Sequence, residues 1–223
     1  MAILLFDIDG TLIRTGGAGA AAMRQAFSTS FGVVDPLDVP YSGRTDLAIG
    51  RELLEIHSLS HNPENWGRLR REYIVQLPTF LPRCIGRALP GVPELLHTLS
   101  QEENIALGLL TGNVRDGARL KLNHYGLFEH FAFGGYGDDH LDRNQVAESA
   151  LAAAREHRDA QFHQHSVWVI GDTPLDIRCG RWIGARVLAV STGIHPRDEL
   201  ARCEPDVLLD DLSDVDRVAG VLC

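Results

Sequence analysis

The sequence predicts an α/β protein: a doubly wound, parallel, Rossmann-like sheet, interrupted near its start by an all-helical insert. Two observations predict the sheet. Short apolar runs recur along the 223 residues, and each stops at a polar turn, as strands buried on both faces do. Between them lie segments with apolar residues at helical spacing, so strand and helix alternate. A third observation locates the insert: from about Thr15 to about Arg87 the patterns are helical and no run reads as a strand.

Each element follows in order. Ala2 to Phe6 is a strand entering Asp7-Ile8-Asp9-Gly10-Thr11. Ala18 to Phe31, Thr45 to His57 and Pro63 to Leu77 are the helices of the insert, and Pro78, Pro82 and Pro90 punctuate the return to the sheet. Val92 to Gln101 is a helix, and Ile105 to Leu110 a strand running into Thr111-Gly112-Asn113. Arg115 to Tyr125 is a helix closed by Gly126, and Asn144 to His157 is an alanine-rich helix. Val167 to Ile170 is a strand leading to Gly171-Asp172-Thr173-Pro174, with a helix from Pro174 to Ile183 that carries proline in its first turn. Arg186 to Val190 and Val207 to Leu209 are the last strands. The expected division is a core of residues 1–14 and 88–223 and a helical cap of residues 15–87, with crossings near Thr15 and Arg83.

Composition narrows the function. Hydrophobic residues make up 44% and charged residues 23%, ordinary for a globular protein. The formal charge of -9 gives no general attraction for nucleic acid or an anionic membrane. A phosphate site would have to be built locally, from a metal, backbone N–H groups and a few arginines. Cys84, Cys179, Cys203 and Cys223 form no CxxC pair and read as reduced thiols. The N-terminus lacks a basic start and a long apolar run, and no stretch approaches the roughly 20 apolar residues of a membrane span. A cytoplasmic protein is expected.

In an open α/β sheet, ligands bind beyond the carboxyl ends of the strands. The loops there carry Asp7 and Asp9, Thr111 and Asn113, and Asp172 and Asp176. Four carboxylates at one sheet edge repel each other unless a hard cation lies among them, and carboxylates with water and phosphate oxygens are the usual Mg²⁺ shell. Side chains alternate at a strand end, so Asp7 and Asp9 can take different tasks: one to attack and hold metal, the other to stay protonated beside negative charge. Gly10 permits the tight turn. Taken alone, Asp-x-Asp-Gly-Thr is also an ordinary capped turn; the three loops together carry the reading.

These loops resemble the motifs of the haloacid dehalogenase superfamily. Phe6-Asp7-Ile8-Asp9-Gly10-Thr11-Leu12 resembles its first motif, which implies Asp7 as nucleophile and Asp9 as acid and base. Leu110-Thr111-Gly112-Asn113 resembles the second, which implies phosphoryl binding by the Thr111 hydroxyl and by the loop around Gly112 and Asn113. Gly171-Asp172-Thr173-Pro174-Leu175-Asp176 resembles the acidic fourth. The metal set this implies is Asp7, Asp172, the backbone carbonyl of Asp9, and Asp176 directly or through water, with Mg²⁺ as cofactor. The insert resembles the family's helical cap, as in phosphoglycolate phosphatases and β-phosphoglucomutases.

The third motif usually offers lysine, and here the chain departs. Lys121, its only lysine, follows the second motif, whereas Arg143 stands at the start of the helix leading to the Asp172 strand. Arg143 is therefore the expected cation on phosphate and Asp7; the plain alternative is a surface bridge to Asp139 or Asp142. In the insert, Tyr41-Ser42-Gly43-Arg44-Thr45-Asp46 offers Arg44 to a substrate carboxylate or second phosphate, or else a solvated arginine beside a Thr45 helix cap. Arg14 and Gly16-Gly17 read as a hinge. His157, His163 and His165, near Gln161, read as a polar loop ahead of a metal site. Trp66, Trp168 and Trp182 read as packing residues, and Arg68, Arg70 and Arg71 as a solvated face.

The resemblance implies a Mg²⁺-dependent phosphohydrolase acting on small phosphorylated metabolites, as a monomer or homodimer. An acid at Asp9 suits protonation of an alkoxide leaving group. The alternatives are a sugar-phosphate phosphomutase, and a regulatory protein that kept the fold without the chemistry.

Overall fold

A computed structural model describes residues 2–158 and 166–222; the side chain of Arg158 lies outside the description. Gln161, His163, His165 and Cys223 therefore lie outside it. In chain order the elements are β1 (Ala2–Phe6), β2 (Ile13–Arg14), α1 (Ala18–Phe31), α2 (Asp46–Ile56), α3 (Pro63–Phe80), β3 (Arg87–Ala88), α4 (Val92–Ser100), β4 (Ile105–Leu110) and α5 (Arg115–His124). Then come β5 (Phe133–Gly135), α6 (Arg143–Arg158), β6 (Val167–Gly171), α7 (Pro174–Trp182), β7 (Arg186–Val190), α8 (Arg197–Arg202), β8 (Val207–Leu209) and α9 (Val215–Leu222).

Six strands form one parallel sheet in the order β5-β4-β1-β6-β7-β8. The alternation of side chains explains its two covered faces. Leu4, Phe6, Leu107, Leu109 and Ile170 point to one side, against Leu95, Leu96 and Leu99 of α4, Leu122 of α5 and Val218 of α9. Ile3, Leu5, Leu110, Val167 and Val169 point to the other, against Val146, Ala147 and Ala150 of α6 and Cys179 of α7. With both faces covered, the strands are unbroken apolar runs. Strand order reverses at β1, so the loops after β1, β4 and β6 converge at a switch point.

The insert has its own core. Ala22, Met23, Ala26 and Phe27 of α1 pack with Leu53 and Leu54 of α2 and Leu69, Tyr73 and Leu77 of α3, and Val114 from the sheet unit joins them. A two-stranded antiparallel ribbon, β2 with β3, carries the chain in and out, pairing Ile13 with Ala88 and Arg14 with Arg87.

Several expectations need correction. Pro78 does not end α3; the helix runs through it to Phe80, and the burial of Leu77 and Leu81 outweighs the one backbone bond that proline removes. Trp182 is exposed, with its indole N–H on Glu148 Oε1 at 2.7 Å, whereas Trp168 is buried. Arg70 is not merely solvated: it pairs with Asp138 at 2.7 Å. The structure adds the strand β5 and the helices α8 and α9. Among the described residues, no helix is long and apolar enough to cross a membrane.

Candidate active site

The first loop leaves β1 still paired, with Asp7 N–H donating to Ile170 O at 2.9 Å. It then folds back: Leu12 N–H reaches Ile8 O at 2.9 Å, and Gly10 N–H reaches Ile13 O at 2.8 Å. Gly10 has φ of 95°, which glycine adopts without strain, and a Cβ there would collide with the Asp172 carboxylate. A Cβ at Gly193 would collide with the same group. These two glycines make the space that Asp172 fills, and the Thr11 hydroxyl donates to Asp172 Oδ1 at 2.9 Å.

At the start of α7, Thr173 and Asp176 form a capping box. Asp176 Oδ2 accepts from Thr173 N–H at 3.0 Å and from the Thr173 hydroxyl at 2.7 Å. That box turns Oδ1 away from the helix end. Asp176 Oδ1 lies 2.5 Å from Arg143 Nη2, yet it is buried without an aligned hydrogen bond.

Asp7, Asp172 and Asp176 bring one carboxylate oxygen each within 4.8 Å of one another, and all three residues are buried. Their charge is poorly compensated. Burial pushes Asp7 up to about 7, against the pull of the Arg143 guanidinium, with Asp176 and Asp9 adding to the rise. Burial, then Asp7 and Asp176, hold Asp172 well above the usual carboxylate range. One guanidinium faces three buried carboxylates, one of which has an unaligned oxygen. A hard divalent cation fits that donor set.

Arg143 opens α6 and is itself buried. Its Nη2 donates to Asp7 Oδ1 at 2.6 Å and to Leu110 O at 3.3 Å, and its Nη1 to Gly43 O of the insert at 3.3 Å. It thus joins Asp7, Asp176 and the insert. No bridge to Asp139 or Asp142 forms.

Asp9 has different company. Its Oδ2 accepts from Lys121 Nζ at 2.6 Å and from Asn113 Nδ2 at 2.8 Å. Lys121 also donates to Asn113 Oδ1 at 2.6 Å, and Asn113 Nδ2 donates to Thr111 Oγ1 at 2.8 Å. Lys121 is thus drawn into the site from the helix that follows the second loop. Thr111 is fully buried and holds Asn113, while Gly112 and Asn113 line the cavity in front of the carboxylates.

That cavity measures about 670 Å³ and lies between the sheet edge and the insert. Arg44 lines it, but the guanidinium is engaged: Glu52 at 2.5 Å, Pro40 O at 3.0 Å and Ala48 O at 3.3 Å. The insert docks through the next residues. Asp46 N–H donates to Gly112 O at 2.7 Å, and Asp46 Oδ2 accepts from Val114 N–H at 2.8 Å. A Cβ at Gly112 would collide with Arg44 O, so a glycine there permits the docking. Burial raises Asp46 to about 6, against the pull of Lys121 and the Val114 N–H.

Known proteins are similar to this chain. The family model of haloacid dehalogenase-like hydrolases matches residues 4–190. A phosphoglycolate phosphatase of Synechococcus elongatus is 29% identical over 215 residues, covering 96% of this chain and 95% of its own. One of Vibrio vulnificus is 27% identical over 219 residues, covering 95% and 92%. Among solved structures, a hydrolase from Pseudomonas syringae aligns over 100% of both chains with a TM-score of 0.74 at 22% identity.

Proposed function

This chain belongs to the haloacid dehalogenase-like hydrolases, and we propose that it cleaves small-molecule phosphomonoesters with Asp7 as nucleophile and Asp9 as acid and base. The observation that carries the proposal is the pairing of two carboxylates two residues apart with separate cations: Arg143 on Asp7 and Lys121 on Asp9. Asp7, Asp172 and Asp176 would hold Mg²⁺, which when bound supplies positive charge to the phosphoryl oxygens.

The chain's own residues do the rest. Asp7 attacks phosphorus, and the bond from phosphorus to the ester oxygen breaks as Asp9 gives that oxygen a proton. Water then attacks the aspartyl-phosphate, Asp9 takes back a proton, and inorganic phosphate leaves with Asp7 restored. In this scheme Arg143, the Thr111 region and the loop N–H groups at Gly112 and Asn113, the latter now on Thr111 Oγ1 at 3.2 Å, would hold the phosphoryl oxygens. Residues 15–87 act as a cap that excludes water from the cavity.

The test is phosphate release from a phosphomonoester panel with Mg²⁺ and without any bisphosphate activator. Turnover is expected, is expected to stop in excess EDTA, and is expected to fall by about 10³-fold or more in Asp7→Asn. Full activity in Asp7→Asn, or in EDTA, overturns the scheme; turnover that requires a bisphosphate replaces it with phosphate transfer between hydroxyls.

A further inference from the structure

Resting on that phosphohydrolase reading, we propose that the leaving group this site accepts is an uncharged alcohol with a bulky, largely apolar body, rather than a small carboxylate or a second phosphate. Three observations carry it: the size of the cavity, the character of its walls, and the state of every cation along them.

A phosphoryl group against Asp7 takes up a minor part of about 670 Å³. A two-carbon acid would leave most of the remainder wet, whereas cavities of this volume suit ligands with a substantial body. The apolar part of the lining includes Met23, Tyr41, Ile49 and Tyr73 of the insert and Ile13 of the ribbon. Ile85 and Ile194 also line it, at 96% and 79% exposure. Two large aliphatic side chains held this far into solvent beside a cavity gain from an apolar surface laid over them.

The cations along the walls are already engaged. Arg143 serves Asp7 and Asp176, and Lys121 serves Asp9 and Asn113. Arg44 serves Glu52, and Arg14 donates to the carbonyls of Thr192 and Gly193. Arg87 alone among the lining cations has no partner among the described residues, and it stands exposed on β3 beside Arg14. Opposing these are the carboxylates of Asp9 and Asp46, both on the lining. A second anion placed between the insert and Asp9 would meet like charge and would have to displace Glu52 from Arg44. An uncharged body meets neither cost.

The chemistry is unchanged: phosphorus gains the hydroxyl of water, and the alcohol keeps its oxygen and gains a proton.

The experiment compares benzyl phosphate with 4-carboxybenzyl phosphate, alcohols of nearly equal leaving ability that differ in charge, with phosphoglycolate and pyrophosphate beside them, all with Mg²⁺. Benzyl phosphate is expected to exceed the carboxylated ester in kcat/KM by about 10-fold or more, with phosphoglycolate and pyrophosphate below it. Equal or better use of 4-carboxybenzyl phosphate, phosphoglycolate or pyrophosphate overturns the inference and leaves the phosphohydrolase reading intact. Loss of such a preference in Arg87→Ala would place the second anion on Arg87. Failure to turn over any of these phosphate esters overturns the phosphohydrolase reading and this inference with it.

Discussion

Asp7 and Asp9 are two residues apart in the sequence and stand in opposite surroundings. Asp7 is side-chain buried, and its cation is a guanidinium buried with it and shared with Asp176. Asp9 is 39% exposed at its side chain, faces the cavity, and is held through a single oxygen by an ammonium and an amide. No partner is found for its Oδ1 among the described residues. The difference suits the two roles proposed for them. A nucleophile on phosphorus needs a fixed line of attack in a dry site. A group that passes protons to an alcohol and takes them from water needs one oxygen anchored and the other reachable.

After loss of Asp7 itself, the largest expected effect breaks the buried half. Arg143→Ala should lower kcat by about 10² to 10³-fold, because the guanidinium holds Asp7 and in the proposed scheme would also hold the phosphoryl oxygens. It also leaves three buried carboxylates without a cation, which costs about 3–5 kcal/mol. Thermal melts should show a large loss without metal and a partial recovery with Mg²⁺; a loss that Mg²⁺ does not relieve would mean that the three carboxylates are not a cation site.

A smaller effect sharpens the open half. Lys121→Met should lower kcat by about 10 to 100-fold with little change in KM, since the ammonium orients Asp9 and Asn113. The loss should be greatest for alcohols that leave poorly, which need Asp9 most. Equal loss across a leaving-group series would assign Lys121 to phosphoryl binding instead.

The smallest effect concerns the docking of the insert. Asp46 has its pKa raised to about 6, so the folded state binds its proton more tightly than the unfolded chain. Asp46 therefore costs stability as pH rises from about 4 through about 6. Asp46→Asn keeps an acceptor for Val114 N–H and removes that cost. Its melting temperature should exceed the parent's by several degrees above pH 6, on the order of a few kcal/mol, and should converge with it below pH 4. Parallel curves across that range would show that Asp46 carries no such penalty.

The acidic half of the site was legible because its residues sit in contiguous loops at the ends of apolar strands. Lys121 was not, although it is the one lysine in a chain whose Lys and Arg total 21. Judged by its place in the chain, it belongs to a helix beyond the second loop. In space, helical side chains lean toward the N-terminus, so a long side chain in the second turn of α5 reaches back to the loop that α5 follows. Such singular use of a residue type is a signal that position alone does not give. The ribbon and β5 escaped for a different reason. The ribbon strands are two residues each, and β5 is Phe133-Gly134-Gly135, too short and too glycine-rich to show a period. Arg44 shows the converse limit: its place in the insert loop was readable, but its pairing with Glu52 depends on one turn of α2 that no local pattern singles out.

The lone lysine has one more consequence. Within these 223 residues it offers the single side-chain amine, and it lies beneath α1, with Gly19 so near that a Cβ there would stand 3.2 Å from Nζ. Any amine-selective reagent therefore has one side-chain address in this chain, and it stands on the cavity wall with 5% of its surface exposed. The speed of that labelling is a gauge of how freely small molecules enter the cavity.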